Sequence, residues 1–577
     1  MKNTVLPLND PLPCHKAAPL AREAFSCQKI KVFMLKWKID VYGWFMNRIA
    51  IYLNKSIDGV VYSAPGILEQ YATDRSMLKM HPRVVALPEN TMDIRRLVRF
   101  SHQLAQKKIS LPITVRGSGY SKTGSDIGTG LVISTERMSA IQEIDIRQRL
   151  VRVQCGVKLG ELKKALNLCG LDLPVFGNPF ETIGGLIAKA ASASNNTEPS
   201  TIYDFINRAE VVLADGALVE MSNLSTRYFR RKKQSGDREG ELYRAMDELL
   251  DDEWEAVNNL PENKKNRFGY SGLGAVKTKH SFSLLPLLTG SEGTLGIITE
   301  VILKVEPVFD RPDYIAIPCK TAEAFAFVSS ELKRLKFTDI VVYDTELFNA
   351  TDNTGKFSRF FRRVSDDGYL VVANVKDDST RERKRKLAKI RSAMPDTLRV
   401  IEEGEGNERD FIELDRTLDA YLNDSAPNSY HLPLIDGVYV PQENQVKFLD
   451  GVTALAKAMS LPMAVYGSVD FNTFSIRPCF NPSSAAGRKK IVQFLGTYLK
   501  LISENDGYPC GEAPEGRFMA IFAQKFESPR TLDLYKKVKN IFDPNGILNP
   551  GIKHETNAKT TFKHFRSDYN RGIISRD

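Results

Sequence analysis

Six residues, Arg116-Gly117-Ser118-Gly119-Tyr120-Ser121, follow the short apolar run Ile113 to Val115, so a glycine-rich turn closes a strand. Glycine has no Cβ and reaches positive φ, which lets successive main-chain N–H groups turn inward onto an anion. A pyrophosphate is the natural occupant of such a nest. Neither standard phosphate loop fits. The dinucleotide fingerprint needs glycine where Lys122 stands, and the phosphate-loop pattern needs Lys and then Ser or Thr where Ser125 and Asp126 follow Gly124. By itself the segment reads equally as an ordinary tight turn.

Further segments share its character. In chain order they are Asn178-Pro179-Phe180-Glu181-Thr182-Ile183-Gly184-Gly185-Leu186-Ile187-Ala188, then Leu213-Ala214-Asp215-Gly216, then TGSEGTLGIIT from Thr289 to Thr299, and finally FDPNGILNPG from Phe542 to Gly551. Between the last two stands Gly511-Glu512-Ala513-Pro514-Glu515-Gly516-Arg517, which sets carboxylates beside a guanidinium.

In that order and at those separations the segments resemble the vanillyl-alcohol oxidase and p-cresol methylhydroxylase (PCMH) flavoprotein superfamily. Within it they are most similar to the branch of D-lactate dehydrogenases and glycolate-oxidase flavin subunits. The resemblance covers roughly residues 58 to 307 well, 503 to 553 moderately and the middle poorly. It implies FAD as cofactor, with Arg116, Gly117, Ser118, Gly119, Tyr120 and Ser121 wrapping its pyrophosphate. Glu181, Thr182, Gly184 and Gly185 would line the same cofactor, the main chain around Ile298 would meet the flavin ring, and Asn549 would return over the first domain. A non-covalent flavin is expected, because Tyr120 stands where tethering relatives carry histidine and no cysteine lies between Asn178 and Gly185. Relatives that hold a metal use histidines where Ser468 and Ala513 stand, so no metal is expected. In the flavoprotein family that this order of segments resembles, a glutamate and an arginine stand where Glu512 and Arg517 do, and the resemblance implies that such an arginine would hold a substrate carboxylate through two parallel hydrogen bonds. Arg416 and Arg477 are further candidates, with a surface ion pair as the competing reading of each.

The elements that must position these residues alternate. Strands are expected at Val84 to Leu87, Ile113 to Val115, Leu131 to Ser134 and Leu150 to Cys155, with a hairpin over Val211 to Met221 turning at Asp215-Gly216. Helices are expected at Asp93 to Gln106 and Leu159 to Leu168, and a charged insertion at Thr226 to Lys265. Past Pro307 and Pro312, helices at Phe325 to Leu335, Leu387 to Ala393 and Val446 to Met459 mix with strands at Ile340 to Tyr343, Tyr369 to Asn374 and Ala464 to Gly467. The fold class is α+β: a two-part PCMH-type FAD-binding domain, a mixed substrate (cap) domain, and a C-terminal stretch returning to the first. The expected boundaries are 1–57 for a leader, 78–307 for the FAD domain, 308–530 for the cap, 531–556 for the returning segment and 557–577 for a loose polar tail.

Bulk composition agrees with two folded domains. A chain of 577 residues exceeds the roughly 250 to 300 that one core supports, and 42% hydrophobic content can fill more than one. The formal charge of +10 is mild at this length, and its dense runs, Arg230 to Lys233 and Arg381 to Arg391, are short and separate, so no nucleic-acid partner is expected. Seven scattered cysteines without a CxxC pair fit a reducing, cytoplasmic setting. No apolar stretch reaches the roughly 18 residues of a membrane span. Residues 29–53, rich in Lys, Arg and aromatic side chains, could lie on the inner face of an anionic membrane or pack as an ordinary helix.

The expected activity is oxidation of a small hydroxy compound, a D-2-hydroxy acid such as D-lactate, with hydride passing to flavin N5. Glu512, Arg517 and Arg416 are the catalytic candidates, Glu512 as a partly buried base. Electrons would leave to an external acceptor, a quinone, a cytochrome or another protein. Alternatives are a sugar, lactone or lipid-linked alcohol as substrate, or a flavin-binding protein with little turnover.

Overall fold

Short β-branched and apolar runs build the first sheet: β1 (Val60–Tyr62), β2 (Val84–Leu87), β3 (Ile113–Arg116) and β4 (Leu131–Ser134), ordered β1-β2-β4-β3. β2 and β3 pair parallel to β4, and all four residues of β4 are buried, as expected of an inner parallel strand. The amphipathic helix α1 (Thr91–Gln106) is capped by Asn90, whose side chain accepts from Asp93 N, and buries Ile94, Leu97 and Val98. In a computed structural model the described residues are 48–194, 199–261, 265–308, 313–345, 368–375, 379–402, 429–553, 556 and 558–566. Contacts divide the chain into Met1–Tyr52 and Leu53–Asp577; of the first, only 48–52 is described, and it is helical. Most of the proposed membrane-surface stretch 29–53 therefore lies outside the described residues.

The second sheet is antiparallel throughout: β5 (Ile141–Asp145), β6 (Leu150–Gln154), β7 (Ile206–Val212), β8 (Leu218–Ser222) and β9 (Ile297–Lys304), in the order β8-β7-β9-β6-β5. Helix α2 (Leu159–Asn167) follows β6, and the short helix α3 (Ile183–Ala188) carries the second glycine turn. The charged insertion forms helices α4 (Thr226–Lys233) and α5 (Arg238–Asp252), then Trp254–Asn258.

The third sheet has eight strands: β10 (Asp313–Cys319), β11 (Thr338–Asp344), β12 (Tyr369–Val375), β13 (Ile401–Glu402), β14 (Tyr430–His431), β15 (Ile435–Tyr439), β16 (Met463–Ser468) and β17 (Thr473–Phe480). Its order is β13-β10-β12-β11-β16-β17-β14, with β15 also on β17. One face carries Val342, Val371, Phe474 and Ile476 and packs on helices α6 (Ala322–Arg334), α7 (Gln445–Met459) and α8 (Ala485–Ser503) through Phe325, Phe448 and Phe494. The pleat sends alternate residues to the other face, which carries Tyr343, Tyr466, Ser468, Thr473, Ser475 and Arg477.

The end of the chain returns to the first sheet after α9 (Pro529–Phe542). Ile113 N donates to Ile547 O and Asn549 N to Ile113 O, both at 2.7 Å, so the FDPNGILNPG segment adds itself to the edge of β3. The tail is not loose as far as Arg566: Lys79 N donates to His564 O at 2.8 Å and Arg566 N to Met77 O at 2.9 Å, while Phe562 and Phe565 pack on the apolar core. Two aromatic rings and an arginine in a nominally polar segment supply that attachment.

Buried charges fasten the return. Lys553 Nζ lies 3.1 Å from Glu515 and 3.2 Å from Glu292, and donates to Gly290 O at 2.8 Å. Burial would lower the Lys553 ammonium, but the two carboxylates outweigh it and raise its pKa. Burial pushes the Glu515 carboxyl up to about 7; Lys553 opposes that and Glu292 adds to it. A carboxyl whose folded pKa is raised above its ordinary value stabilises the fold at low pH, and the contribution is lost as pH rises through about 7. The thermal midpoint should therefore fall between about pH 4.5 and about pH 7, and Glu515→Gln should flatten that dependence. Lys553→Met, which strands two buried carboxylates, should destabilise by about 3–5 kcal/mol in thermal or denaturant unfolding.

Candidate active site

β3 ends at Arg116 and the chain turns at once, with Gly119 at φ +77°. The Arg116 side chain folds beneath its own loop: a Cβ on Gly119 would lie 2.2 Å from its Nη2. Nη1 donates to Thr73 O at 2.9 Å and lies 3.8 Å from Asp126 Oδ1. Nearby, burial and the Asp126 charge hold the Asp74 carboxyl well above its ordinary range. Arg116 thus braces the loop from below. Above it, the main-chain N–H groups of Gly117, Ser118 and Gly119 meet no acceptor among the described residues. Adjacent bare donors over a buried guanidinium suit a diphosphate. Ser121 Oγ is turned to Thr123 and Ser125 at 3.1 and 2.9 Å, so it shapes the loop.

The second glycine turn meets the first. A Cβ on Gly117 would lie 2.2 Å from Thr182 Oγ1, and that oxygen caps α3 by accepting from Gly185 N at 3.2 Å. Gly184 has a packing role: its N–H donates to Cys155 O at 2.8 Å, and a Cβ there would press on Cys155. Glu181 accepts from Asn178 N at 2.7 Å and Lys189 Nζ at 2.5 Å, which holds the turn's shape. Across the paired turns Tyr120 stacks on Phe180 with centroids 6.2 Å apart, and the Arg75 guanidinium lies 3.8 Å over the Tyr120 ring. Ile298 is buried in β9, paired with Val211.

Asn549, at φ +44°, joins the motifs. Its Nδ2 donates to Ser125 O and Glu292 O at 2.7 and 2.8 Å, and its Oδ1 accepts from Thr114 Oγ1 and Arg517 Nη2 at 3.2 and 2.7 Å. The rest of the Arg517 guanidinium is engaged by Ile127 O at 3.0 Å and by Pro550 O. Burial pushes Arg517 down to about 10, which leaves it charged at neutral pH. Arg517 therefore ties the returning segment to the flavin loop.

Arg477 is not on the surface: only 3% of it is exposed. It sits on the helix-free face of the third sheet, with Nη2 2.6 Å and Nε 3.0 Å from Tyr466 Oη. Glu512 is exposed where a partly buried carboxyl was expected; its N–H donates to Gly437 O at 2.9 Å, and Gly437 N donates to Ser475 Oγ on the Arg477 face. A small cavity of about 10 Å³, room for roughly one water, is lined by Lys122, Thr123, Leu434, Pro509, Ala513 and Pro514. Arg416 lies outside the described residues. Sequence reasoning passed over Tyr466 and Arg267. Arg267 is fully buried and donates to Ala190 O at 2.6 Å, Ser192 Oγ at 2.9 Å and Glu512 O, and burial pushes it down to about 10. An arginine inside the glycine and aromatic run Asn266 to Gly274 was the signal available.

Two families match in tandem: "FAD binding domain" over residues 82–222 and "FAD linked oxidases, C-terminal domain" over residues 314–552. The chain thus carries the two domains of FAD-linked oxidases, and FAD is its cofactor. A D-2-hydroxyglutarate dehydrogenase of Pantoea ananatis is 24% identical over 83% of this chain and 48% of its own length. The chain thus spans about half the length of the first curated relatives it matches. A D-lactate dehydrogenase of Archaeoglobus fulgidus is 23% identical over 81% of this chain and 90% of its own length. A p-cresol methylhydroxylase structure with substrate bound has the same fold, with TM-score 0.65 at 12% identity over 89% of this chain and 97% of that one.

The bare amides and the close approach at Gly117 fit the cofactor's diphosphate. Gly117→Ala should drive its new methyl into Thr182 Oγ1 and weaken FAD binding about tenfold or more, the loss of a contact worth about 1.4 kcal/mol. Adding Thr182→Ala should recover part of that affinity, as read by flavin fluorescence on dilution.

Proposed function

We propose that this chain is an FAD-dependent dehydrogenase of a small 2-hydroxy acid, D-lactate being the model substrate, which passes its electrons to an external quinone, cytochrome or other protein. Bound FAD supplies a two-electron acceptor for the hydride of the substrate carbon. Arg477 holds the carboxylate: it is buried, its polar contacts include the Tyr466 hydroxyl, and it lies on the sheet face opposite the one that packs on α6, α7 and α8. A guanidinium already ordered by a phenol loses little freedom on meeting a carboxylate. Tyr466 orients that guanidinium through its hydroxyl. Glu512, exposed and next in the chain to the cavity-lining Ala513, takes the hydroxyl proton. Arg517 serves this reading as the brace of the glycine loop, because each of its three nitrogens already donates, to Ile127 O, Pro550 O and Asn549 Oδ1.

The buried Arg477 is the observation that carries this reading, and the D-2-hydroxyglutarate and D-lactate dehydrogenases among the relatives support it. A second reading, a less polar alcohol, is favoured by the apolar lining that Leu434, Pro509, Ala513 and Pro514 give the small cavity. Anaerobic titration with D-lactate, D-2-hydroxyglutarate, L-lactate and glycolate separates the two, since only an accepted substrate bleaches the oxidised flavin. Arg477→Met should keep the flavin and raise KM for the hydroxy acid about 100-fold, the equivalent of about 2.7 kcal/mol of charge-assisted hydrogen bonding. An unchanged KM would remove Arg477 from the site.

A further inference from the structure

The eight residues of α4, TRYFRRKK, sort their cations by face. Phe229, Lys232 and Lys233, spaced i, i+3 and i+4, form the inner stripe. Phe229 stacks on Phe282 with centroids 4.1 Å apart, Lys232 pairs with Glu239, and Lys233 lies 2.5 Å from Asp247. Arg227, Arg230 and Arg231 repeat the same spacing on the outer side. All three are exposed, and none makes an ion pair or side-chain hydrogen bond among the described residues. Lys279 is equally exposed and unpaired, and the pairing of Ser225 with Ser281 brings its turn beside the start of α4.

Other cations of this region do have partners. Lys277 reaches Asp247 and Asp251, Arg238 reaches Asp215, Arg530 reaches Glu255 and Lys537 reaches Glu253. Like charges at i, i+3 and i+4 repel along a helix, so this face is at odds with itself until an anion meets it. It also presents Tyr228 at 63% exposure, and the same helical insertion presents Trp254 at 63%.

We propose that this face docks the protein on an anionic lipid bilayer, with Arg227, Arg230, Arg231 and Lys279 on lipid phosphates and the Tyr228 ring at headgroup level. Guanidinium forks match phosphate oxygens, and a ring with a polar tip suits the interface between headgroups and acyl chains. Cations beside an exposed amphipathic ring match the phosphate layer and the interfacial layer of one bilayer leaflet. The overall charge of +10 adds attraction at longer range. The surface belongs to the helical insertion and is independent of the substrate.

The test is co-sedimentation of the full-length, flavin-loaded protein with vesicles of phosphatidylcholine alone and of phosphatidylcholine with roughly a third phosphatidylglycerol. Salt-sensitive binding to the anionic vesicles only is expected. Each basic residue near such a surface contributes about a fivefold factor, so Arg227→Glu, Arg230→Glu and Arg231→Glu together should weaken binding at least about 100-fold. Flavin absorbance and thermal midpoint should match the wild type. Tyr228→Ala should weaken vesicle binding several-fold and leave retention on immobilised polyglutamate unchanged. Equal binding to both vesicle types, or binding untouched by the triple reversal, overturns the proposal. So does a Tyr228→Ala variant that binds vesicles like the wild type, which would leave only a generic polyanion surface. If the triple variant loses its flavin, Arg231→Gln with Lys279→Gln gives the same readout, and unchanged binding there also overturns it.

Discussion

The attachment of the chain's end to the edge of β3 is the constraint on which the rest of the molecule depends. Ile113 exchanges hydrogen bonds with Ile547 and Asn549, and the side chain of Asn549 then reaches Thr114, Ser125, Glu292 and Arg517. Two of these partners, Glu292 and Arg517, belong to glycine-rich motifs far apart in the chain. A buried amide that makes four such contacts has little freedom left, and removing any one of them strands a polar group away from water.

Buried cations extend the same logic. Arg267, Arg517 and Lys553 are each enclosed and each hydrogen bonded to main-chain carbonyl groups. Carbonyls neutralise less charge than carboxylates do, so burial lowers Arg267 and Arg517 to about 10, whereas two carboxylates keep Lys553 raised. These cations join the GSEGTLG turn, the Glu512 to Arg517 stretch and the returning segment into one support beneath the flavin loop. The amides of Gly117, Ser118 and Gly119 stay bare above a buried guanidinium, that of Arg116, whose own donor is engaged by Thr73 O.

The third sheet divides its labour by pleat. Phe474 and Ile476 are committed to the helices, which sends Ser475 and Arg477 to the opposite face. A one-residue slip of β17 would exchange these sets, so the apolar packing on one side keeps the arginine in place on the other. Hydrophobic contacts on one face thus hold the polar side chains of the other in register.

Much of this was legible before any coordinates. The glycine turns, the alternation of strands and helices and the tandem order of motifs are local, and the physics of bare amides, β-branched runs and helix caps acts over a few residues. The roles of individual charged side chains were not legible. Arg517 read as a substrate ligand and is a brace; Arg477 read as a surface cation and is buried beside Tyr466; the tail read as loose and packs through Phe562 and Phe565. Residue type tells what a guanidinium can bind, but its acceptor lies wherever tertiary folding brings one within about 3 Å. The sequence by itself determined an FAD protein of α+β fold with glycine-rich turns, and only the tertiary structure decided which arginines brace the returning segment and which one lies buried beside Tyr466. Burial and hydrogen-bond partners belong to neighbours distant in the chain.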